Sequence, residues 1–181
     1  MARFEICLSG HGGQGMVLAG KILGQALALY TDKNVVQTQS YGPEARGGSS
    51  KSEIIVSDEE INYPKVIKLD LLVALTQESL DKYFSNLKES GILMIDPFRV
   101  KSMPKSGRKV YSIPVVQLAK AKLGRSLFAN IILLGALAAV TGIVSKESLE
   151  KAVLAHVPAM TKDMNIQALA IGFEAGEESK K

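Results

Sequence analysis

A chain of 181 residues is long enough for one substantial core. Hydrophobic content of 46% and charged content of 22% argue against disorder, and a net charge of +4 without basic repeats or interleaved aromatics argues against a nucleic-acid surface. The single Cys7 and the two histidines, His11 and His156, exclude an internal disulfide, a four-thiolate iron–sulfur site and the usual zinc-ligand spacings, so any cluster must belong to a partner.

The N-terminus enters a charged, alternating strand with no basic stub and apolar run, which favours a cytoplasmic location. Phe4, Ile6 and Leu8 alternate with Arg3, Glu5 and Cys7, and Met16, Ala19, Leu23, Ala26, Leu27 and Tyr30 recur at helical spacing. Ser9-Gly10-His11-Gly12-Gly13-Gln14-Gly15 therefore lies at a strand-to-helix junction, and Gly10, Gly12 and Gly15 fit G-x-G-x-x-G. In that pattern the first glycine permits a tight turn, the second lets a phosphate approach and the third brings helix and strand together. Unpaired N–H groups of the first helical turn would then favour an anion. A connection needed only for packing fits the same residues.

Val35-Val36 with Gln37-Thr38-Gln39 predicts the second strand of a β-α-β unit. An NAD site usually ends this strand with an acid, whereas Gln39 and Ser40 stand here and Asp32 precedes the strand, so NAD is disfavoured. The loop Ser40 to Ser50 gathers Tyr41, Glu44 and Arg46 among Gly42-Pro43 and Gly47-Gly48. It suits either a binding loop, with Arg46 taking phosphate or carboxylate, or a solvated turn with a weak Glu44–Arg46 pair. Lys51 to Ser57 predicts a strand too close to its predecessor for a crossover helix, hence antiparallel or in another layer, and a mixed sheet.

Asp70 to Leu75 predicts a buried central strand, and Thr76 caps a helix expected to run through Tyr83 and Leu87 to a stop at Ser90-Gly91. Ile92 to Ile95 follows as a strand ended by Asp96-Pro97. Between Arg99 and Lys109 the cations Arg99, Lys101, Lys105, Arg108 and Lys109 stand without an acid, as a basic lip toward an anion or as a solvated loop. Val110 to Ile113 predicts an edge strand, and Pro114 opens a helix from Val115 to about Leu123. The apolar stretch Leu127 to Val144, interrupted by Asn130, Thr141, Gly135 and Gly142, predicts a buried helix rather than a membrane span. Ser145 with Glu147 opens a helix through Leu154, Pro158 separates it from one around Asp163 to Phe173, and Glu174 to Lys181 is expected to fray.

Gly10-x-Gly12-Gly13-Gln14-Gly15, then Ser40-Tyr41-Gly42-Pro43-Glu44-Ala45-Arg46-Gly47-Gly48, Ser57-Asp58, and Asn130 with Leu134-Gly135-Ala136 carry a resemblance over nearly the full chain. Together they resemble the gamma subunits of the 2-oxoacid:ferredoxin oxidoreductases, of the 2-oxoglutarate or branched-chain type, and the matching domain of pyruvate:ferredoxin oxidoreductase. The resemblance implies an α/β fold: a three-layer Rossmann- or flavodoxin-like mixed, mostly parallel sheet with flanking helices and a C-terminal helical region. One domain would span 1–176 before a polar tail, 177–181.

The implied reaction converts a 2-oxoacid, coenzyme A and oxidised ferredoxin into acyl-CoA, carbon dioxide and reduced ferredoxin. Thiamine diphosphate, Mg and iron–sulfur clusters are expected on alpha and beta partner subunits, with a ferredoxin-like delta subunit as a further candidate and ferredoxin as electron acceptor. The chain lacks a G-D-G…N thiamine motif. No catalytic residue is therefore expected in it; its implied part is to close the active site and position coenzyme A. Gly10, Gly12, Gly13, Gln14, Gly15, Tyr41, Arg46, Gly47 and Gly48 are the expected coenzyme contacts, and Pro43, Glu44, Arg46 and Asn130 the expected partner contacts. The rivals are a free-standing nicotinamide- or flavin-dependent oxidoreductase and a regulatory coenzyme-binding module.

Overall fold

The computed structural model describes residues 3–41 and 48–181. Six strands form one sheet: β1 Phe4–His11, β2 Asn34–Tyr41, β3 Ser49–Ser57, β4 Leu69–Ala74, β5 Leu87–Ile95 and β6 Lys109–Ser112, in the order β2-β3-β1-β4-β5-β6. β3 pairs antiparallel with both neighbours, whereas β1, β4, β5 and β6 pair in parallel. Thus β3 alone runs against the other strands, and the mixed, mostly parallel sheet is as expected. The helices are α1 Met16–Tyr30, α2 Gln77–Tyr83, α3 Val115–Leu123, α4 Ala129–Thr141, α5 Lys146–His156 and α6 Lys162–Glu178.

Two apolar clusters show how the sheet is covered. On one face Ile6, Leu8, Leu71 and Val73 pack with α1 and the four later helices; on the other, Cys7, Leu72, Ala74 and Leu93 pack with Leu80 of α2. The alternation in β1 is therefore real, but both of its phases are buried, because each face of a central strand in an α/β sheet carries a helix. Even Glu5 is 4% exposed, and its carboxylate accepts from Ile67 N at 2.6 Å, Lys68 N at 2.9 Å and the Arg3 guanidinium.

Several boundaries differ from the sequence reading. The helix after Thr76 ends at Tyr83, a 3-10 turn Phe84–Asn86 follows, and β5 starts at Leu87, opposite Leu69. Its first half is polar and partly exposed and shifts register against β4, so Lys88-Glu89-Ser90 carries no strand periodicity to read. β2 extends to Tyr41 as a polar edge strand, and β3 separates it from β1. The expected β-α-β unit is thus split by an antiparallel strand. This removes the adjacency of β1 and β2 on which an NAD-type ribose acid depends.

The expected caps hold: Thr76 Oγ1 accepts from Ser79 N at 3.1 Å, and Ser145 Oγ from Ser148 N at 3.1 Å. The buried apolar helix is α4, enclosed by α1, α3, α5 and α6. No helix is long and apolar enough to cross a membrane among the described residues. Where fraying from Glu174 was expected, α6 continues to Glu178, and Gly176 is held against Ala136 and Ala139 of α4.

Candidate functional site

The turn between β1 and α1 is built from its own side chain and two left-handed glycines. Gln14 folds back so that its Oε1 accepts from His11 N at 2.6 Å, while its backbone N donates to His11 O at 3.1 Å. Gly10 makes no turn; it is the seventh residue of β1, and a Cβ there would stand 2.3 Å from Gln14 Oε1. The reversal is made instead at Gly13, φ +88°, and Gly15, φ +74°, conformations that side chains disfavour. Gly15 is also the N-cap of α1, with no side chain capping it, so the helix offers its first amides outward.

An open cleft of about 630 Å³ begins at this turn, lined by Gly13, Gln14, Gly15, Leu18, Leu75, Arg99, Val116, Ser126, Leu127, Ala129 and Asn130. Gly13 to Gly15, Leu75, Arg99 and Val116 follow the carboxyl ends of β1, β4, β5 and β6, and Ser126, Leu127, Ala129 and Asn130 come from the start of α4 and the turn before it; connections depart to either side of β1 here, and α/β sheets bind ligands at such switch points. Three helix beginnings reach the cleft: Gly15 and Leu18 of α1, Val116 of α3, and Ala129 and Asn130 of α4. Of these, the head of α1 carries no capping side chain or acid, whereas Val116 N of α3 donates to Asp96 and Ala129 N of α4 to Ser126 O; with the exposed Arg99 and the apolar Leu75 and Leu127, the lining suits an anion that carries an apolar part. An adjoining apolar hollow of about 550 Å³ shares Leu18, Leu127 and Asn130 and continues to Val157, Pro158 and Asn165.

Of the expected coenzyme contacts, Gly12, Gly13, Gln14 and Gly15 form one turn, Gly10 lies in β1 before it, and Gly48 joins the turn: Gly12 N donates to Gly48 O at 2.6 Å. Tyr41 closes β2, paired with Ser50. Pro43, Glu44, Arg46 and Gly47 lie outside the described residues. Asn130, expected at a partner interface, is 6% exposed in the cleft wall, and its Nδ2 lies 2.5 Å from where a Cβ on Gly15 would stand.

The basic lip does not act as a unit. Arg108 donates to Lys88 O at 3.0 Å and Leu87 O at 2.9 Å and stacks 4.5 Å over Phe84, which makes it a brace for β5. Lys101 sits over the Phe98 ring, and Arg99 is the cation of the stretch that lines the cleft. Asp96, read in the sequence only as a turn former, is fully buried at the end of β5 and accepts from the backbone amides of Phe98, beside Arg99, and of Val116 in the cleft wall.

Little here resembles a catalytic group. Burial pushes the Cys7 thiol up to about 12, Glu53 adding to the rise and Lys51 opposing it, so the thiol stays protonated and unreactive. Burial disfavours charge on Lys51, but its hydrogen bond to Glu53 at 2.8 Å leaves its pKa raised overall. His11 Nδ1 is buried without a hydrogen-bond partner.

A glycine-headed cleft at the switch point of a mixed, mostly parallel sheet defines an α/β fold of the kind that takes ligands at its strand ends. The chain belongs to the pyruvate ferredoxin/flavodoxin oxidoreductase family, whose model matches residues 5–175, and is a gamma-type subunit of a 2-oxoacid:ferredoxin oxidoreductase. It is 52% identical to the 2-oxoglutarate synthase subunit KorC of Methanocaldococcus jannaschii over 97% of this chain and 95% of that one. With the pyruvate synthase subunit PorC of Methanothermobacter marburgensis it shares 33% identity over 97% of this chain and 98% of that one. The crystal structure of the keto/oxoacid ferredoxin oxidoreductase gamma subunit from Geobacter sulfurreducens superposes with a TM-score of 0.90 at 45% identity, covering 99% of both chains.

Proposed function

We propose that the chain serves a 2-oxoglutarate-type enzyme and that its cleft seats the phosphate-bearing end of coenzyme A. The supporting observation is the uncapped head of α1, with its turn at Gly13 and Gly15, in a cleft that Arg99 also lines. Phosphate oxygens would take the free amides near Gly13, with Arg99 as counter-charge, and the apolar floor would carry the uncharged part of the coenzyme. Gly12 and Gly48 are placed to join the same rim, with Arg46 and Tyr41 as further contacts. The higher identity to KorC than to PorC favours 2-oxoglutarate over pyruvate.

Alpha and beta subunits, with a ferredoxin-like delta subunit as a further component, would carry thiamine diphosphate, Mg and the iron–sulfur clusters, since one buried thiol cannot hold a cluster. Those groups supply carbanion stabilisation and one-electron transfer to ferredoxin; this chain binds, orients and screens from water. The assembly would work in the cytoplasm, as the charged, alternating first strand favours.

Co-expression with a thiamine-binding chain and a cysteine-rich chain should give 2-oxoglutarate- and coenzyme A-dependent ferredoxin reduction that none of the chains shows alone. Redox turnover by this chain unaided, or an Arg99→Gln complex with an unaltered KM for coenzyme A, would overturn the assignment.

A further inference from the structure

We propose that Asp96 is a positioning residue of the cleft: one buried carboxylate ties the loop that carries Arg99 to the first turn of α3 and so fixes where the guanidinium stands. This rests on the reading that the cleft takes the phosphates of coenzyme A. Asp96 is 0% exposed at the carboxyl end of β5. Its Oδ1 accepts from Phe98 N at 3.0 Å and its Oδ2 from Val116 N at 3.3 Å, a residue twenty positions downstream. Arg99 N and Val100 N in turn donate to Asp96 O at 3.0 and 2.9 Å, so Pro97 to Arg99 wrap into a single turn capped by the same residue.

Capping that turn needs one oxygen, and Ser or Asn would supply it. The second oxygen does something a cap does not: it crosses to α3, whose Val116 lines the same cleft as Arg99. Among the described residues no Lys or Arg pairs with Asp96. Its charge is balanced by amides and by the amino end of α3. The sign of its effect on an anion therefore separates two roles. As a bare negative charge near the cleft, Asp96 would repel phosphate, and neutralising it would tighten coenzyme binding. As the tie that places Arg99, losing it weakens binding although a repulsive charge has gone.

The test uses the assembled oxidoreductase with Asp96→Asn and Asp96→Ser in this chain. Both keep an oxygen for Phe98 N; the first presents an amide NH₂ to Val116 N and the second falls short of it. The expected result is a KM for coenzyme A raised roughly five- to tenfold in both, with kcat changed by less than about twofold and the KM for the 2-oxoacid unmoved. Arg99→Gln alone should also raise the coenzyme KM, and Asp96→Asn added to it should raise it no further, because the two act through one guanidinium. An unchanged or lowered coenzyme KM in the Asp96 variants, or a full additional loss in the Arg99→Gln background, overturns the positioning role and leaves the cleft assignment standing. An unaffected KM in Arg99→Gln alone removes the cleft assignment and this role with it. Failure of both Asp96 variants to assemble would assign the residue to folding and also overturn the proposal.

Discussion

The head of α1 and the contact between α4 and α6 both depend on glycine, for opposite physical reasons. At the head of α1, Gly13 has nothing within 4 Å of the place a Cβ would take, and what excludes a side chain is its φ of +88°. Between α4 and α6 the glycine conformations are helical, and space decides: a Cβ on Gly172 would lie 2.0 Å from Ile132 O, and one on Gly135 would lie 2.3 Å from Leu169 O. One set keeps the rim of the cleft bare of side chains, and the other lets two backbones touch with no room left. A glycine's chemistry is the same in both; only the surroundings say whether it serves recognition or packing.

Alanine substitutions should separate the two sets. Gly172→Ala is expected to cost about 3 kcal/mol, because the obstructing atom is backbone and the helices must part; a denaturant midpoint close to wild type would break the comparison. Gly15→Ala combines its left-handed backbone with a collision against Asn130, and about 2 kcal/mol is expected. Adding Asn130→Ala should recover part of that loss, since the obstacle is a side chain; no recovery would show that strain alone is at work. Gly13→Ala should cost only about 1 kcal/mol of stability while raising the coenzyme KM, a split that urea titration and kinetics on the assembled enzyme together can read.

The smallest effect concerns Cys7. Its pKa is raised on folding, so the unfolded chain loses the proton first as pH climbs past about 9, and stability falls between there and about 12. Cys7→Ala should be weaker at neutral pH yet lose less over that alkaline interval, and the native thiol should resist iodoacetamide at pH 8 until the chain unfolds.

Much of this was legible because local chemistry and global packing agree. The glycine run after an apolar strand, the hydroxyl caps at Thr76 and Ser145, and the uniformly apolar α4 each have one structural use. The start of β5 is hidden because Lys88 to Ser90 is polar and the strand shifts register against its neighbour, so only the pairing of Leu69 with Leu87 reveals a strand. β2 was shortened in the reading because an edge strand keeps few buried residues to mark its length. The basic stretch read as one lip divides by contact: Arg108 braces β5 while Arg99 faces the cleft, and no spacing rule distinguishes them. Asp96 escaped notice because its second partner is twenty residues away.

β3, running against the rest of the sheet, changes what the ligand end can be made from. In a purely parallel sheet only strand exits reach that end; here the entry to β3 at Ser49 lies opposite His11, and Gly48 reaches the outgoing turn of β1. The end of β2 at Tyr41 and the start of β3 at Ser49 therefore lie at the same end of the sheet as the outgoing turn of β1. A turn gripped by a backbone bond from the neighbouring strand, Gly12 N to Gly48 O, is held in shape without any side chain having to reach across it.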